Sequence, residues 1–210
     1  MIEEFFNRHA ALEPLRGDIL QALALLKHCG NEKGRIFTCG NGGSAADAEH
    51  IVGELLKGFH LKRRLTEAQV NAIAAHFPGE AEAIASALQQ SIAAISLVSQ
   101  VSLMTAVAND TDPSAIFAQQ LYGLGRAGDV LLAISTSGNS ANVLLAAKVA
   151  RVLDMKVIAM TGASGGAIKE LADVALCAPA SRVDLIQELH LPIYHLLCAA
   201  LEDSLFGGGE

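Results

Sequence analysis

The residues best suited to chemistry lie on two segments with helical spacing. His50 and Glu54 are four residues apart, so they share one face of a helix that follows a glycine-rich turn. Gln187, His190 and His195 lie together in an apolar segment near the C-terminus. Imidazole, carboxylate and amide groups can bind a divalent metal or act as acid and base. Each residue alone is more often a solvated or internally hydrogen-bonded group, so only their combination indicates a site.

Two polar loops each stand between an apolar run and a helical pattern. Residues 40–44 are Gly-Asn-Gly-Gly-Ser, and residues 135–140 are Ser-Thr-Ser-Gly-Asn-Ser. Hydroxyls and free N–H groups at a helix start can cradle a phosphate without many basic residues. The first loop matches neither GxGxxG nor a P-loop, and a tight turn or ordinary helix capping would explain either loop alone. Because ligands of open α/β sheets bind at the carboxyl ends of strands, we expect both loops to face one ligand.

The elements that position these residues alternate between strand and helix patterns, which predicts an α/β fold with a parallel sheet. Short apolar runs predict strands over residues 35–39, 95–98, 130–135, 157–161 and 174–177. Helical spacing predicts helices over residues 2–29, 45–57, 113–124, 141–153, 167–172 and 185–206. Pro192 lies inside the last helix, and we expect it to kink the chain there.

Residues 60–90 do not fit this alternation. Thr66 and Gln69 form a capping-box pattern at the start of a helical segment. Helices are predicted over residues 66–77 and 79–90. We therefore expect a single domain over residues 1–210, with residues 60–90 as a helical insertion.

Composition excludes several classes of protein. Hydrophobic residues make up 51% and charged residues 18% of the chain, which excludes intrinsic disorder. The balance of 15 basic against 22 acidic residues disfavours a nucleic-acid partner. Polar or charged residues interrupt every apolar run before about 18 residues, so we expect no membrane association. A polar N-terminus and four cysteines without a CxxC pair make the cytoplasm the expected compartment.

The motifs together resemble the phosphoheptose isomerase branch of the sugar isomerase (SIS) family. The likeness covers about residues 2–205, interrupted by residues 60–90. It is carried by residues 40–50 with Glu54, by Asn109-Asp110, by residues 135–140 and by Gln187-Glu188-x-His190-x4-His195. The resemblance implies a three-layer αβα sandwich with a five-stranded parallel sheet. It also implies a homotetramer whose active sites are shared between subunits.

The resemblance implies an activity and residue roles as well. The reaction would convert sedoheptulose 7-phosphate into D-glycero-D-manno-heptose 7-phosphate, with Glu54 as the catalytic base and His195 as the catalytic acid. Some family members bind zinc through positions matching His50, Glu54, Gln187 and His195, and no nucleotide cofactor is expected. The implied substrate contacts are Asn41, Gly42, Gly43, Ser44, Asn109, Asp110, Ser135, Thr136, Ser137, Ser140, Asp184 and Gln187.

Moving a carbonyl between C2 and C1 agrees with these roles. A carboxylate can carry the proton between the two carbons, and an imidazole or a metal can stabilise the enediolate oxygens. Two alternatives stay open beside it. The enzyme could act on another sugar phosphate, which the long segment between Glu54 and Asn109 favours. The chain could instead be a non-catalytic SIS tetramer that binds a protein partner, of the replication initiator-associating type, although such proteins lack the catalytic pair.

Two further departures from the family pattern concern basic residues. Gly58 stands near a position where the family often has a basic residue, and Lys57 could take its place. The basic run over residues 62–64 could contact phosphate, but we favour a solvated turn.

Overall fold

A computed structural model describes residues 1–208, and its centre is a sheet of five parallel strands in the order β2-β1-β3-β4-β5. The three central strands are buried at nearly every residue, as expected for a parallel sheet that is covered on both faces. The strands are β1 (Ile36–Cys39), β2 (Ala94–Ser96), β3 (Val130–Ile134), β4 (Lys156–Thr161) and β5 (Val174–Cys177). All five predicted strands are confirmed to within two residues at either end.

Helices cover both faces of the sheet and produce the predicted three-layer sandwich. They are α1 (Ile2–Arg8), α2 (Arg16–Asn31), α3 (Gly43–Leu56), α4 (Glu67–His76), α5 (Ala81–Ala87), α6 (Val101–Asp110), α7 (Ala118–Leu124), α8 (Ala141–Val152) and α9 (Val183–Phe206). Helices α1, α2, α3 and α9 share one core with Ile36 and Leu132. Helices α7 and α8 share the other core with Phe37 and Leu131, because successive strand residues point to opposite faces. Among residues 1–208, no helix is both long enough and apolar enough to cross a membrane.

The helix predictions were wrong in detail at three places. The helix predicted over residues 2–29 is interrupted by a 3-10 turn over Ala10–Leu15, which contains Pro14. Proline lacks the N–H that a continuous α-helix requires at this position. The helix predicted over residues 113–124 is divided into a 3-10 turn and α7, and the one predicted over residues 167–172 is a 3-10 turn over Ala167–Glu170.

Helix α6 was not predicted, because its apolar residues do not form a buried stripe within one chain. Val107 is its only buried residue, whereas Val101 and Leu103 are exposed. Helix α9 continues through Pro192 as one helix of 24 residues.

The segment between α3 and β2 forms a hairpin of α4 and α5. The predicted capping box is present, with Thr66 and Gln69 exchanging backbone and side-chain hydrogen bonds. Only Ala81 is buried in these two helices. The hairpin matches the two helices predicted for residues 60–90, and its status as an insertion relative to the family stays a prediction.

Candidate active site

The two polar loops lie side by side at the carboxyl edge of the sheet. One follows β1 and the other follows β3, which are adjacent parallel strands. In a sheet of this strand order, β1 and β3 flank the topological switch point where ligands of doubly wound folds bind. Asn41 in the first loop and Asn142 in the first turn of α8 form two hydrogen bonds between their side-chain amides, at 2.9 and 2.8 Å. Asn142 was absent from the predicted site, although an amide at the start of a helix after a polar loop could have indicated it.

The loop over residues 135–140 is braced so that its hydroxyls have fixed positions. The Oγ atoms of Ser135 and Ser140 are 3.0 Å apart, and Ser137 Oγ accepts a hydrogen bond from the backbone N–H of Asn139 at 3.1 Å. Gly138 has φ of +66°, and a Cβ there would collide with the backbone of Gly165. A side chain at position 138 would therefore strain the backbone and push the loop off its support. The arrangement is a preformed, uncharged cradle suited to an anion.

A second cluster lies near the other end of α3. Glu54 Oε1 is 3.1 Å from His50 Nε2, and Glu54 Oε2 accepts a hydrogen bond from Lys57 Nζ at 3.3 Å. The Glu54 side chain is only 15% exposed, so its carboxylate is largely screened from water. Lys57 therefore contacts the carboxylate, as suggested from its place beside Gly58.

His195 on α9 completes this cluster. Its ring lies edge-on to the ring of His50, with 5.1 Å between centroids, and its Nε2 is buried without a hydrogen-bond partner. Burial, together with the nearby His50, lowers the pKa of His195 below its ordinary value. The neutral imidazole is therefore the main form at neutral pH, and it can still donate an N–H to an oxygen atom.

Tyr194, which was not among the predicted residues, orients His50. The Tyr194 hydroxyl donates to Asp47 Oδ1 at 3.3 Å and lies 3.0 Å from His50 Nδ1. Burial raises the pKa of Asp47, and burial together with Asp47 raises the pKa of Tyr194. With its own proton directed at Asp47, the Tyr194 hydroxyl accepts a hydrogen bond from the Nδ1–H of His50. The other ring nitrogen of His50, Nε2, faces the Glu54 carboxylate.

Comparison with known proteins identifies relatives of this chain. The family model described as SIS domain matches residues 5–75 and 70–162. A phosphoheptose isomerase of Thiobacillus denitrificans is 42% identical over 203 residues, which covers 95% of this chain and 90% of that protein. The chain belongs to the phosphoheptose isomerase family.

Solved structures of this family have the same fold. The phosphoheptose isomerase from Neisseria gonorrhoeae superposes with a TM-score of 0.74 at 36% identity, covering 96% of this chain and 94% of that one. The one from Francisella tularensis superposes with a TM-score of 0.77 at 34% identity, covering 93% and 91% of the two chains.

Other residues implied by the phosphoheptose isomerase motifs lie apart from His50, Glu54 and His195. Gln187 packs against Gly43, where a Cβ would collide with the amide group. Asp184 is exposed and pairs with Arg182 at 2.6 Å. Asn109 and Asp110 are exposed at the end of α6 and bond to each other. His190 is fully buried, and its Nε2 is 3.1 Å from the carbonyl oxygen of Thr161, so it belongs to the core.

Within one chain, the phosphoheptose isomerase motifs form two separate groups. Ser44 and Glu54 are ten residues apart on α3, which is about 15 Å at the helical rise of roughly 1.5 Å per residue. Gln187 and His195 are about 12 Å apart on α9 by the same reckoning. The two helices run in the same direction, since Gly43 meets Gln187 and His50 meets Tyr194. The glycine-rich loop therefore lies at the amino end of α3, whereas Glu54 lies near the carboxyl end of α3 and His195 near the middle of α9.

The resemblance to phosphoheptose isomerases implied a zinc site, and the side chains expected to bind the zinc can be checked in the structure. Among the described residues, no three His, Cys, Asp or Glu side chains already stand together as metal ligands. Three of the four expected donors nevertheless lie close together: His50 Nε2 is 3.1 Å from Glu54 Oε1, and the ring of His195, whose Nε2 has no partner, lies beside that of His50. A metal-bound histidine commonly donates its other N–H to a neighbour, as His50 does to Tyr194. In donor type these residues fit zinc.

One sequence expectation is wrong at its central residue. The basic run at residues 62–64 was expected to be a solvated turn, but Arg63 is only 2% exposed. Its guanidinium forms an ion pair with the buried carboxylate of Glu202.

Proposed function

We propose that this chain is an aldose–ketose isomerase that converts sedoheptulose 7-phosphate into D-glycero-D-manno-heptose 7-phosphate. The observation that carries the proposal is the cluster of His50, Glu54 and His195 in a member of the phosphoheptose isomerase family. The hydroxyl-rich loop at the switch point supplies the place for the phosphate. Free cysteines at all four positions suit a reducing compartment such as the cytoplasm.

The proposed reaction uses the two groups for separate tasks. The loop over residues 135–140 binds the phosphate, and this positions the sugar carbons at the acid–base groups. Glu54 removes the proton from C1, which leaves an enediolate with its negative charge on the C2 oxygen. The same carboxylic acid then delivers the proton to C2. His195 gives a proton to the C2 oxygen and takes up the proton that the C1 hydroxyl loses as the new carbonyl forms.

Zinc is part of the proposal, with His50, Glu54, His195 and Gln187 as its ligands. When bound, the ion would act as a Lewis acid that stabilises the enediolate oxygens. Gln187 lies about 12 Å along α9 from His195 of the same chain, so it would serve a site completed by another subunit.

The same separation supports a homotetramer with shared sites. A ligand held by the loops at one end of α3 is about 15 Å from Glu54 of its own chain. An adjacent subunit that brought its Glu54 and His195 to this loop would close the gap. Neither a nucleic acid nor a membrane is needed to complete the proposed site.

Co-expression of two defective chains tests the shared site. Glu54→Gln removes the base, and Ser140→Asp places a carboxylate beside the phosphate while keeping a good N-cap for α8. Each homomeric variant should be inactive, whereas mixed oligomers should recover activity from sites with one intact half from each chain. Mixed oligomers that form but stay inactive would contradict the shared site.

The activity itself is tested with a panel of ketose and aldose phosphates of five to seven carbons, with products identified by NMR. The seven-carbon ketose should be turned over fastest. Faster turnover of a shorter sugar would make that sugar the assigned substrate, an alternative that the long segment after Glu54 allows. No turnover of any sugar, together with a protein retained in pull-downs, would favour the non-catalytic alternative.

A further inference from the structure

A buried ion pair lies outside the residues assigned to the reaction. Arg63 Nε donates to Glu202 Oε1 at 2.7 Å, and neither side chain has any exposed surface. Arg63 follows α3 by seven residues, whereas Glu202 belongs to α9. The pair therefore joins two distant parts of the chain inside the protein.

The remaining hydrogen bonds of this pair go to the backbone around Glu54. The Glu202 carboxylate accepts the N–H groups of three consecutive residues, Phe59, His60 and Leu61, at 2.8, 2.7 and 3.1 Å. The other nitrogens of Arg63 donate to the carbonyl oxygens of Leu55, at 2.6 Å, and of Glu54, at 3.2 Å. Carbonyls in the last turn of a helix lack partners within the helix. Arg63 thus caps α3 at the residue proposed as the base.

Glu202 connects this cap to the residue proposed as the acid. It lies seven residues, or two turns, beyond His195, so both project from one side of α9. The loop that Glu202 holds also packs on His195, because the Phe59 ring is 5.4 Å from the His195 ring and 4.3 Å from that of His60. One carboxylate and one guanidinium thus link both sides of the acid–base cluster.

Stability alone does not account for such a pair. Removing two charges from water is costly, and replacing a buried ion pair by well-packed neutral residues is often neutral or stabilising. Displacements of about 1 Å can reduce catalysis roughly a hundredfold. We propose that Arg63 and Glu202 are positioning residues, which hold Glu54 and His195 in the relative placement that proton transfer requires. This inference rests on the proposed isomerase function.

The main test is the double variant R63M/E202Q. It leaves no unpaired charge, and the amide oxygen of the new glutamine can still accept hydrogen bonds from the loop N–H groups, while the link to the Glu54 and Leu55 carbonyls is lost. We expect kcat to fall about tenfold or more, with KM changed less than about threefold because neither Arg63 nor Glu202 bonds to the phosphate loop. The inhibition constant of inorganic phosphate should also be unchanged.

A matched control is the double variant R35M/D129N. Arg35 and Asp129 form another largely buried pair, at 2.9 Å, in which the carboxylate also collects backbone N–H groups, but at the amino ends of β1 and β3. This variant should have a comparable loss of stability in urea denaturation and a kcat within about twofold of wild type. If R63M/E202Q does not fold, Arg63→Lys keeps a cation opposite Glu202 and removes only the forked contact, and its kcat should fall in the same way.

Two outcomes separate the inference from the function on which it rests. A folded R63M/E202Q or Arg63→Lys variant with wild-type kcat would overturn the positioning role while leaving the isomerase proposal intact. If the wild-type protein converts no sugar phosphate, the isomerase proposal fails, and hydrogen exchange then decides the structural part. Faster amide exchange over residues 54–61 and around residue 195 in R63M/E202Q would support the holding role, and unchanged exchange would refute it.

Discussion

Replacing Glu54 by glutamine is the sharpest test of the proposed chemistry. The side chain keeps its size, and its amide oxygen can still face His50 where Glu54 Oε1 stands at 3.1 Å. The lost contact to Lys57 involves a cation that is 62% exposed, so it contributes little to stability, about 0–1 kcal/mol. The amide cannot accept a proton from carbon. The variant should therefore fold normally and lose its activity.

The size of the loss follows from the role. A positioned general base contributes roughly 10²–10⁴-fold to rate, which is about 2.7–5.4 kcal/mol at roughly 1.36 kcal/mol per tenfold. We expect kcat of Glu54→Gln to fall by at least the lower figure. KM should change little, because the loop over residues 135–140 holds the phosphate and the substitution leaves this loop unchanged.

The assay is NMR of sedoheptulose 7-phosphate in deuterated water, which follows both product and exchange of the C1 proton. Glu54→Gln should lose both signals together, because the same carboxylate starts either process. Glu49→Gln is the matched control, since Glu49 lies on α3 but is exposed and bonds Ser99 instead. A folded Glu54→Gln protein with kcat within about tenfold of the control would refute the assignment of the base.

Three further predictions concern the metal, the phosphate loop and the core. Elemental analysis of untagged protein should find zinc, and His50→Ala should lose it; full activity in chelator with no bound metal would contradict the zinc proposal. Gly138→Ala should destabilise the fold by about 1–3 kcal/mol and weaken inhibition by inorganic phosphate, because φ is +66° there; an unchanged urea midpoint would refute the strain. Burial lowers the pKa of His190. As the pH decreases, the unfolded chain therefore binds a proton at His190 before the folded chain does, and the free energy of unfolding should decrease at pH values below about 6.5. Urea denaturation at pH 7.5 and 5.5 should show that the free energy of unfolding falls less in His190→Gln than in the wild-type protein. An equal fall in the two proteins would contradict this.

The local pattern of amino-acid types was sufficient to predict most of the architecture. The buried runs of a parallel sheet are short, apolar and bounded by turn residues, so the amino-acid pattern alone located all five strands. Thr66 caps α4 as predicted, because capping depends on a few neighbouring residues. Helix α6 escaped detection because it has almost no buried face in the single chain.

The composition of the candidate site also followed from sequence, through motifs that place His50 with Glu54 and hydroxyls after β3. The i,i+4 spacing requires the first pair to share a helix face, and the structure has them 3.1 Å apart. Residues that act through other residues left no such signal. Tyr194 became visible only through its hydrogen bond to His50.

Features that depend on contacts between distant parts of the chain were decided only by the tertiary structure. A basic run next to a predicted helix has the same local pattern whether it is solvated or buried, and Glu202, 139 residues away, determines that Arg63 is buried. The distance between the phosphate loop and Glu54 likewise depends on the pairing of β1 with β3, which places this loop at the amino end of α3. Sequence therefore determined which groups this protein has for its chemistry, because local spacing and residue type are enough for that. The packing of distant segments decided where those groups stand and which of them meet.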